Sequence, residues 1–233
     1  MKRILILTVV ILMGLTLAAC GQREDIPGVG PEGAADAANP DKVENGLMTG
    51  SMDEPASYEI NKEEKVLFDE AVQAYTIAEI TPIAYLGSQI VAGTNHCFMC
   101  RFLDSIPDAK ETYAFISVYE DLNGKAVLRD VRDSHIETNI NGQAGGWELP
   151  ETPDLSEDLK GVCTKALEAA GRDGCTPLCC LSQQVVSGMN YCIFCKTAPA
   201  GPEEKTGYVL AYLYQDLQGN AEITDLIDFQ IDQ

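Results

Sequence analysis

The fold of this chain is decided by a stretch of sequence that occurs twice. The run QIVAGTNHCFMC at residues 89–100 returns as QVVSGMNYCIFC at residues 184–195, a shift of 95 residues (184 minus 89). The same shift relates DLNG at 121–124 to DLQG at 216–219, without a gap. Two units of about 90 residues indicate a duplicated domain, because a solenoid needs three or more shorter units.

An amphipathic helix is predicted at the start of each copy. Apolar residues spaced i, i+3, i+4, i+7 form one stripe per copy. These are Phe68, Ala71, Val72 and Tyr75 in the first and Cys163, Ala166, Leu167 and Ala170 in the second. Asn61, with Glu64 three residues later, predicts a capping box at the first helix. Gly171 is placed to end the second helix.

An antiparallel sheet of three or four strands is expected after each helix. In the first copy, residues 83–86 lead into a tight loop at 89–93, and residues 95–102 leave that loop. Residues 113–120 and 125–131 then form a hairpin around Asn-Gly, a strong hairpin signal. A helix followed by an antiparallel meander predicts an α+β fold, in which the helix packs on one face of the sheet.

The beginning of the chain has the pattern of an export signal. Lys2 and Arg3 precede an apolar run that is shorter than the roughly 20 residues of a membrane span. The run ends in LAAC at residues 17–20, which resembles the bacterial lipobox, whose cysteine is diacylated and becomes the first residue of the mature protein. We therefore expect residues 1–19 to be removed and Cys20 to anchor the protein stably to the outside of the cell membrane. The alternative is a plain secretory signal with an incidental cysteine.

Composition divides the remaining chain into a tether and two domains. Residues 20–46 are rich in Gly, Pro, Ala and acidic residues and have no periodic apolar face, so we expect a flexible tether. Copy one is assigned to residues 47–137 and copy two to residues 143–233. The net charge of −20 opposes nucleic-acid binding, which depends on neutralising phosphates.

The duplicated loop resembles the Gln-x-Val-x-Gly motif of the cystatin family. It is present as Gln89-x-Val91-x-Gly93 and as Gln184-x-Val186-x-Gly188, in each case in the first hairpin after a helix. The resemblance covers both copies and implies two tandem cystatin-like domains. In cystatins this loop, an N-terminal glycine and a second hairpin form a wedge that enters the active-site cleft of papain-like cysteine proteases. The residues that would contact a protease are then Gly50, Gln89, Val91 and Gly93 in copy one, and Gly145, Gly146, Trp147, Gln184, Val186 and Gly188 in copy two.

The second hairpin departs from the inhibitory cystatins. Secreted inhibitors carry Pro-Trp there, whereas this chain has a leucine beside an aspartate, at Leu122 and Leu217. A buried Trp is a typical interface anchor, and Leu is a weaker one. A binding or adhesion module that keeps the cystatin-like fold without a protease target is therefore the alternative to inhibition. Copy two is the better candidate for inhibition, because Trp147 stands where copy one has Met52.

Eight cysteines follow Cys20, and both copies contain Cys-x-x-Cys. Disulfides, a four-thiolate zinc site and a redox pair are all open for Cys97, Cys100, Cys180, Cys192 and Cys195. Residues three apart in a strand are about 10 Å apart and point to opposite faces, so a bond within one pair would need a bulge. If the hairpin of copy two centres on Val186, Cys180 falls opposite Cys192.

The sequence contains no recognisable catalytic pattern. His96 and His135 are the two histidines, and neither belongs to a Ser-His-acid arrangement or to a metal-binding helix motif. Phosphate-binding glycine loops are absent from the sequence. We therefore expect a binding protein without enzymatic activity or a cofactor, whose partners are the membrane, through its lipid, and a papain-like protease or another surface protein.

Overall fold

The computed structural model describes residues 52–198 and 207–229 of the chain. The predicted signal peptide, Cys20, the tether and Gly50 lie outside the described residues. Both copies belong to one compact unit. Among the described residues, no helix has the length and apolar character needed to cross a membrane.

Copy one consists of a helix followed by a four-stranded antiparallel sheet. The elements are α1 (Lys62–Val72), β1 (Ala78–Val91), β2 (Gly93–Asp104), β3 (Thr112–Glu120) and β4 (Ala126–Glu137). The strands lie side by side in the order of the sequence, which is a meander. The predicted capping box is confirmed, because the Asn61 side chain accepts a hydrogen bond from the Glu64 backbone and the Glu64 side chain accepts one from the Asn61 backbone.

Copy two repeats this order. Its elements are α2 (Glu157–Ala169), β5 (Cys175–Val186), β6 (Gly188–Thr197), β7 (Gly207–Gln215) and β8 (Ala221–Phe229), again as a four-stranded antiparallel meander. The predicted α+β class, with one helix and one antiparallel sheet per copy, is confirmed.

The first hairpin of each copy is tighter than the sequence predicted. Residues 89–91, which were expected in a loop, continue β1, and Val91 pairs directly with Gly93. The turn is centred on Ala92 in copy one and on Ser187 in copy two, where Val186 pairs with Gly188. The strands therefore remain paired almost to the tip, which holds the tip residues in a fixed conformation.

Each helix covers one face of its own sheet, as expected. In copy one the contact is aromatic, and the rings of Phe68 on α1 and Phe98 on β2 meet edge to face with centroids 5.0 Å apart. In copy two, Cys163 and Leu167 of α2 pack against Ile193 and its neighbours on the sheet.

The opposite faces of the two sheets pack against each other. Phe115 of copy one lies against three rings of copy two, those of Phe194, Tyr208 and Phe229, with centroids 5.6, 5.6 and 4.7 Å away. The described unit is therefore four layers deep, in the order helix, sheet, sheet, helix. We call the central contact the sheet–sheet core. It joins the two copies through apolar side chains, and the sequence analysis had not predicted this contact between the sheets.

Contacts across the sheet–sheet core show how the copies are oriented. Asp53 pairs with Ser88 near the tip of copy one, and the next residue, Glu54, forms an ion pair of 2.7 Å with Lys196. Lys196 lies nine residues beyond Ser187 and therefore far from the tip of copy two. At the other end of the core, Tyr113 is far from the tip of copy one, and its hydroxyl lies 3.5 Å from Ser182, only five residues before Ser187. The tips of the two copies consequently point in opposite directions.

Candidate functional site

Each copy brings two turns and an N-terminal segment to the same end of its sheet. In an antiparallel meander the first and third turns lie at one end, so the Ala92 turn and the turn at residues 121–125 are neighbours. We call the segment that precedes each helix the trunk, which is residues 52–60 in copy one and 143–155 in copy two. The two turns and the trunk together are edge one in copy one and edge two in copy two.

Each trunk runs along the outer strand of its sheet and is fixed in the same way. Asp53 and Ser88 exchange backbone hydrogen bonds of 2.8 and 3.2 Å, and Glu148 and Gln183, at the positions 95 residues later, exchange two of 2.8 Å. The trunk therefore pairs part of the backbone of β1 and of β5, which would otherwise be an exposed sheet edge. The trunk lies beside the first turn in both copies.

The glutamine of the Gln-x-Val-x-Gly motif connects trunk and hairpin. In copy two the Gln184 side-chain amide donates to the Gly145 carbonyl at 3.0 Å and accepts from the Asn190 side chain at 2.9 Å. In copy one the Asn95 side chain donates to Gln89 at 3.5 Å. These hydrogen bonds use the polar atoms of Gln184 inside the edge, so this residue positions the surface rather than extending from it.

The glycine of the motif is required by the fold itself. Gly93 and Gly188 have φ angles of +124° and +129°, a conformation that other residues rarely adopt. A Cβ atom on Gly188 would overlap with the backbone oxygen of Gln215, and one on Gly93 with that of Glu120. A side chain at either position would therefore disturb the turn whether or not a partner binds there.

A tyrosine on the third strand of each sheet holds the first turn in place. The Tyr214 hydroxyl donates to the Ser187 carbonyl at 2.7 Å, and the Tyr119 hydroxyl donates to the Ala92 carbonyl in the same way. Both carbonyls belong to the residue at the centre of the turn. The shift of 95 residues pairs these tyrosines in the sequence, but only the structure shows that they bind the turn.

Apolar side chains are exposed at the same positions of both edges. They are Ile90, Val91 and Leu122 on edge one and Val185, Val186 and Leu217 on edge two. These six belong to the eleven exposed large apolar side chains among the described residues, so such side chains are concentrated at the edges. Leu122 and Leu217 are 84% and 79% exposed, and Ile90 is 78% exposed. The sequence analysis had selected Val91 and Val186 but not their more exposed neighbours Ile90 and Val185.

The acidic residue of each second turn has a structural role. The Asp121 carboxylate accepts backbone hydrogen bonds from Asn123 and Lys125 at 2.8 and 3.0 Å. Asp216 accepts in the same way from Gln218 and Asn220, at 2.8 and 2.9 Å. Backbone hydrogen bonds lower the pKa of Asp121, and the hydrogen bond from the Asn220 side chain is the main cause that lowers the pKa of Asp216. The aspartate therefore shapes the turn, and the leucine after it extends into solvent.

Trp147 lies in the trunk of copy two, and its side chain is partly buried. Its ring packs edge-on against Tyr212 with centroids 5.7 Å apart, and it borders the sheet–sheet core. Met52, its counterpart 95 residues earlier, packs against the same core. Both side chains therefore attach a trunk to the core. The glycines before Trp147 are more accessible, since Gly145 is exposed and Gly146 is partly exposed.

The two Cys-x-x-Cys pairs do not form compact thiol sites. Cys97 faces the sheet–sheet core whereas Cys100 faces α1, and Cys192 and Cys195 are divided in the same way between the core and α2. The thiols of one pair are thus on opposite faces of a sheet and cannot bind the same ion. Within the described ranges, no group of three or more His, Cys, Asp or Glu residues is placed to hold a metal.

The described cysteines are free and buried. Cys192 pairs with Ser182, not with Cys180 as a turn centred on Val186 would require, because the turn is at Ser187 and the register shifts between Cys180 and Ser182. Burial raises the pKa of Cys97, Cys180 and Cys192 to about 12. A hydrogen bond with the Cys163 thiol, together with burial, raises the pKa of Cys195. A raised pKa keeps a thiol protonated, which is the opposite of what a nucleophilic cysteine needs.

His96 is held between two side chains near edge one. Its Nδ1 lies 3.0 Å from the Tyr85 hydroxyl and its Nε2 lies 3.2 Å from a Glu120 carboxylate oxygen. Both ring nitrogens are therefore engaged within the protein. The equivalent residue of copy two is Tyr191, so the arrangement belongs to copy one.

Comparison of the sequence with protein-family models and with curated proteins finds no match. The functional argument therefore depends on the geometry of the two edges.

Proposed function

We propose that this chain is a cystatin-like binding protein whose edges insert into the active-site cleft of papain-like cysteine proteases and block it. The observation that carries the proposal is the convergence of the trunk, the first turn and the second turn at one end of each sheet. Exposed apolar side chains project from both turns. This arrangement and the Gln-x-Val-x-Gly motif together support tandem cystatin-like domains.

The physical properties of the edges suit insertion into a cleft. Each edge is a projection, and an enzyme active site is usually concave and lined mostly with apolar groups. The backbone of the first turn is held by paired strands and by Tyr119 or Tyr214, so little conformational entropy is lost when a partner binds. Blocking a cleft needs no catalytic group, and we propose that the chain acts without one.

We further propose that the protein acts outside the cell, attached to the membrane by a lipid on Cys20. The supporting observation is the lipobox-like LAAC sequence at residues 17–20 after a short apolar run. A Cys20→Ala variant should accumulate as an unprocessed precursor or be released from the membrane. Fractionation of cells, followed by mass spectrometry of the N-terminus, measures both. Unchanged processing and retention would contradict the anchor.

Inhibition is tested by titrating papain activity with the full chain. We expect micromolar protein to slow papain, and Val186→Asp, which places a charge at the tip of edge two, to weaken inhibition by roughly tenfold or more at that edge. Val66→Asp is the matched control, because Val66 is exposed on α1 and lies outside both edges. If the wild-type protein leaves papain and related enzymes fully active at micromolar concentration, the inhibitor proposal is wrong.

A non-inhibitory binding module is the second candidate, and two observations favour it. The side chain of Gln184 forms its hydrogen bonds with Gly145 and Asn190 of its own chain. The second turns present Leu122 and Leu217 where inhibitory cystatins have Trp. Calorimetry with papain separates the candidates. Binding that leaves papain active would support the module, and binding that abolishes activity would support the inhibitor.

A further inference from the structure

Edge one and edge two are separated by the sheet–sheet core and face away from each other. From this arrangement we propose that one chain holds two partner molecules at the same time, one at each edge. The proposal rests on the proposed function, since it assigns the number and placement of partners to the same surfaces.

The residues in the core fix the separation of the tips. Phe115 and Phe194 are in contact, and each lies about seven strand residues from the tip of its own copy. At about 3.3 Å per strand residue, each tip extends roughly 23 Å beyond this contact. Since the tips point in opposite directions, they are separated by about 45 Å. Two partners, one bound at each edge, therefore lie at opposite ends of the molecule.

The two edges offer the same chemistry. In the two turns of each edge, every exposed aliphatic residue has an exposed aliphatic counterpart 95 residues away, as in Ile90 with Val185 and Leu122 with Leu217. The glycine at the turn and the tyrosine that holds it also occur in both edges. Two surfaces that share shape and apolar side chains at equivalent positions should accept the same class of partner.

The negative charge around the edges indicates which charge a partner should carry. The chain has a net charge of −20, and each trunk carries exposed acidic residues beside the apolar tip, including Asp53 on edge one and Glu148 on edge two. A complementary partner presents an apolar cleft whose rim carries basic groups. The partner at each edge is thus a protease with a cleft of that kind. The two edges bind two molecules of the same protease.

The experiment is isothermal titration calorimetry of the full chain, in detergent, with papain whose catalytic thiol has been carboxymethylated so that it cannot digest the protein. We expect two molar equivalents of papain per chain. Val91→Asp and Val186→Asp should each reduce the value to one, the double variant should bind none, and Val66→Asp should keep two.

The outcomes separate this proposal from the proposed function. The wild-type chain could instead bind one equivalent of papain, and a single variant could abolish that binding. This result would leave protease binding in place and overturn the two-site arrangement. Absence of binding by the wild-type chain overturns both. Thermal melting checks that each variant is folded. If Val91→Asp or Val186→Asp is not folded, Leu122→Asp or Leu217→Asp takes its place, because those leucines are 84% and 79% exposed and their replacement disturbs no packing.

Discussion

Copy one and copy two have the same topology but fill the space beneath their helices with different side chains. In copy one Phe68 and Phe98 pack together beneath α1. The equivalent positions of copy two hold Cys163 and Ile193, both fully buried. Smaller and differently shaped side chains thus support the same arrangement of helix and sheet, which agrees with the tolerance of protein cores for changes that keep the hydrophobic pattern.

The turns at the edges differ much less between the copies than the helix–sheet cores do. Gly93 and Gly188 share a positive φ angle, and the tyrosines that hold the turns are equivalent. Backbone geometry accounts for these identities, because a left-handed turn needs glycine whereas an apolar core can be filled in several ways. The comparison teaches that turns constrain residue identity more tightly than cores do in this fold.

The largest expected effect is at the contact that unites the copies. Phe115→Ala removes a buried ring that touches three rings of copy two, and should lower the free energy of unfolding by about 4 kcal/mol. Because both copies share the sheet–sheet core, calorimetry should show one unfolding transition that moves as a whole to lower temperature. Two transitions, of which only one moves, would show that the copies are independent.

The difference beneath the helices predicts unequal sensitivity. Phe68→Ala should cost about 3–5 kcal/mol of stability, and Cys163→Ala about 1–2 kcal/mol, because the cavity left by a ring is larger than that left by a thiol. Both side chains are fully buried at equivalent positions, so exposure does not bias the comparison. Urea denaturation in reducing buffer measures both variants. Equal losses would mean that the thiols of copy two contribute more than packing.

Substitution of the turn glycines tests whether the edges are equivalent. Gly93→Ala and Gly188→Ala should each cost about 3 kcal/mol, because the new Cβ meets a backbone oxygen in a conformation unsuited to alanine. Gly219→Ala is the control. Gly219 also has a positive φ, of +88°, but a Cβ there meets nothing within 4 Å, so about 1 kcal/mol is expected. Thermal melting that shows similar losses for Gly188 and Gly219 would contradict the steric explanation.

The smallest expected effect, when it is expressed per pH unit, concerns alkaline pH. Burial raises the pKa of Cys97 and of Cys192, its counterpart in copy two, to about 12. Between about pH 9 and pH 12 the unfolded chain has lost these protons while the folded chain retains them, so stability is complete below about pH 9 and falls as pH rises. Removing one thiol, as Cys97→Ala or Cys192→Ala, should reduce this fall by about 1.4 kcal/mol per pH unit.

Denaturation in reducing buffer between about pH 8 and pH 11 measures that slope. Val118→Ala provides the control, since Val118 is fully buried in the core of copy one and does not titrate. A slope that is the same in the cysteine variants and in wild type would show that these thiols do not drive the alkaline loss of stability. Different slopes for Cys97→Ala and Cys192→Ala would show that the two copies bury their equivalent thiols differently.

Much of the edge was predictable from the sequence, and the roles of its residues were not. The spacing of Gln-x-Val-x-Gly located the first turn, but the hydrogen bond from Gln184 to Gly145 joins residues 39 positions apart. Trp147 was predicted to contact a protease, and the structure shows that this partly buried side chain also packs on Tyr212, 65 residues later. Local pattern cannot distinguish an aromatic residue that faces a partner from one that faces the interior of its own chain.

The sequence by itself determined the repeat, the order of one helix and an antiparallel meander in each copy, the capping box at Asn61 and the turns at the edges. These features depend on residues close together in the chain, where periodicity and turn chemistry act directly. Only the tertiary structure decided that the sheets pack face to face and that the tips point apart. The run CFMC at residues 97–100 is apolar on both faces, which indicates burial on both sides. The hydrophobic effect has no direction, so such a run specifies that a cover exists but not that the other copy provides it.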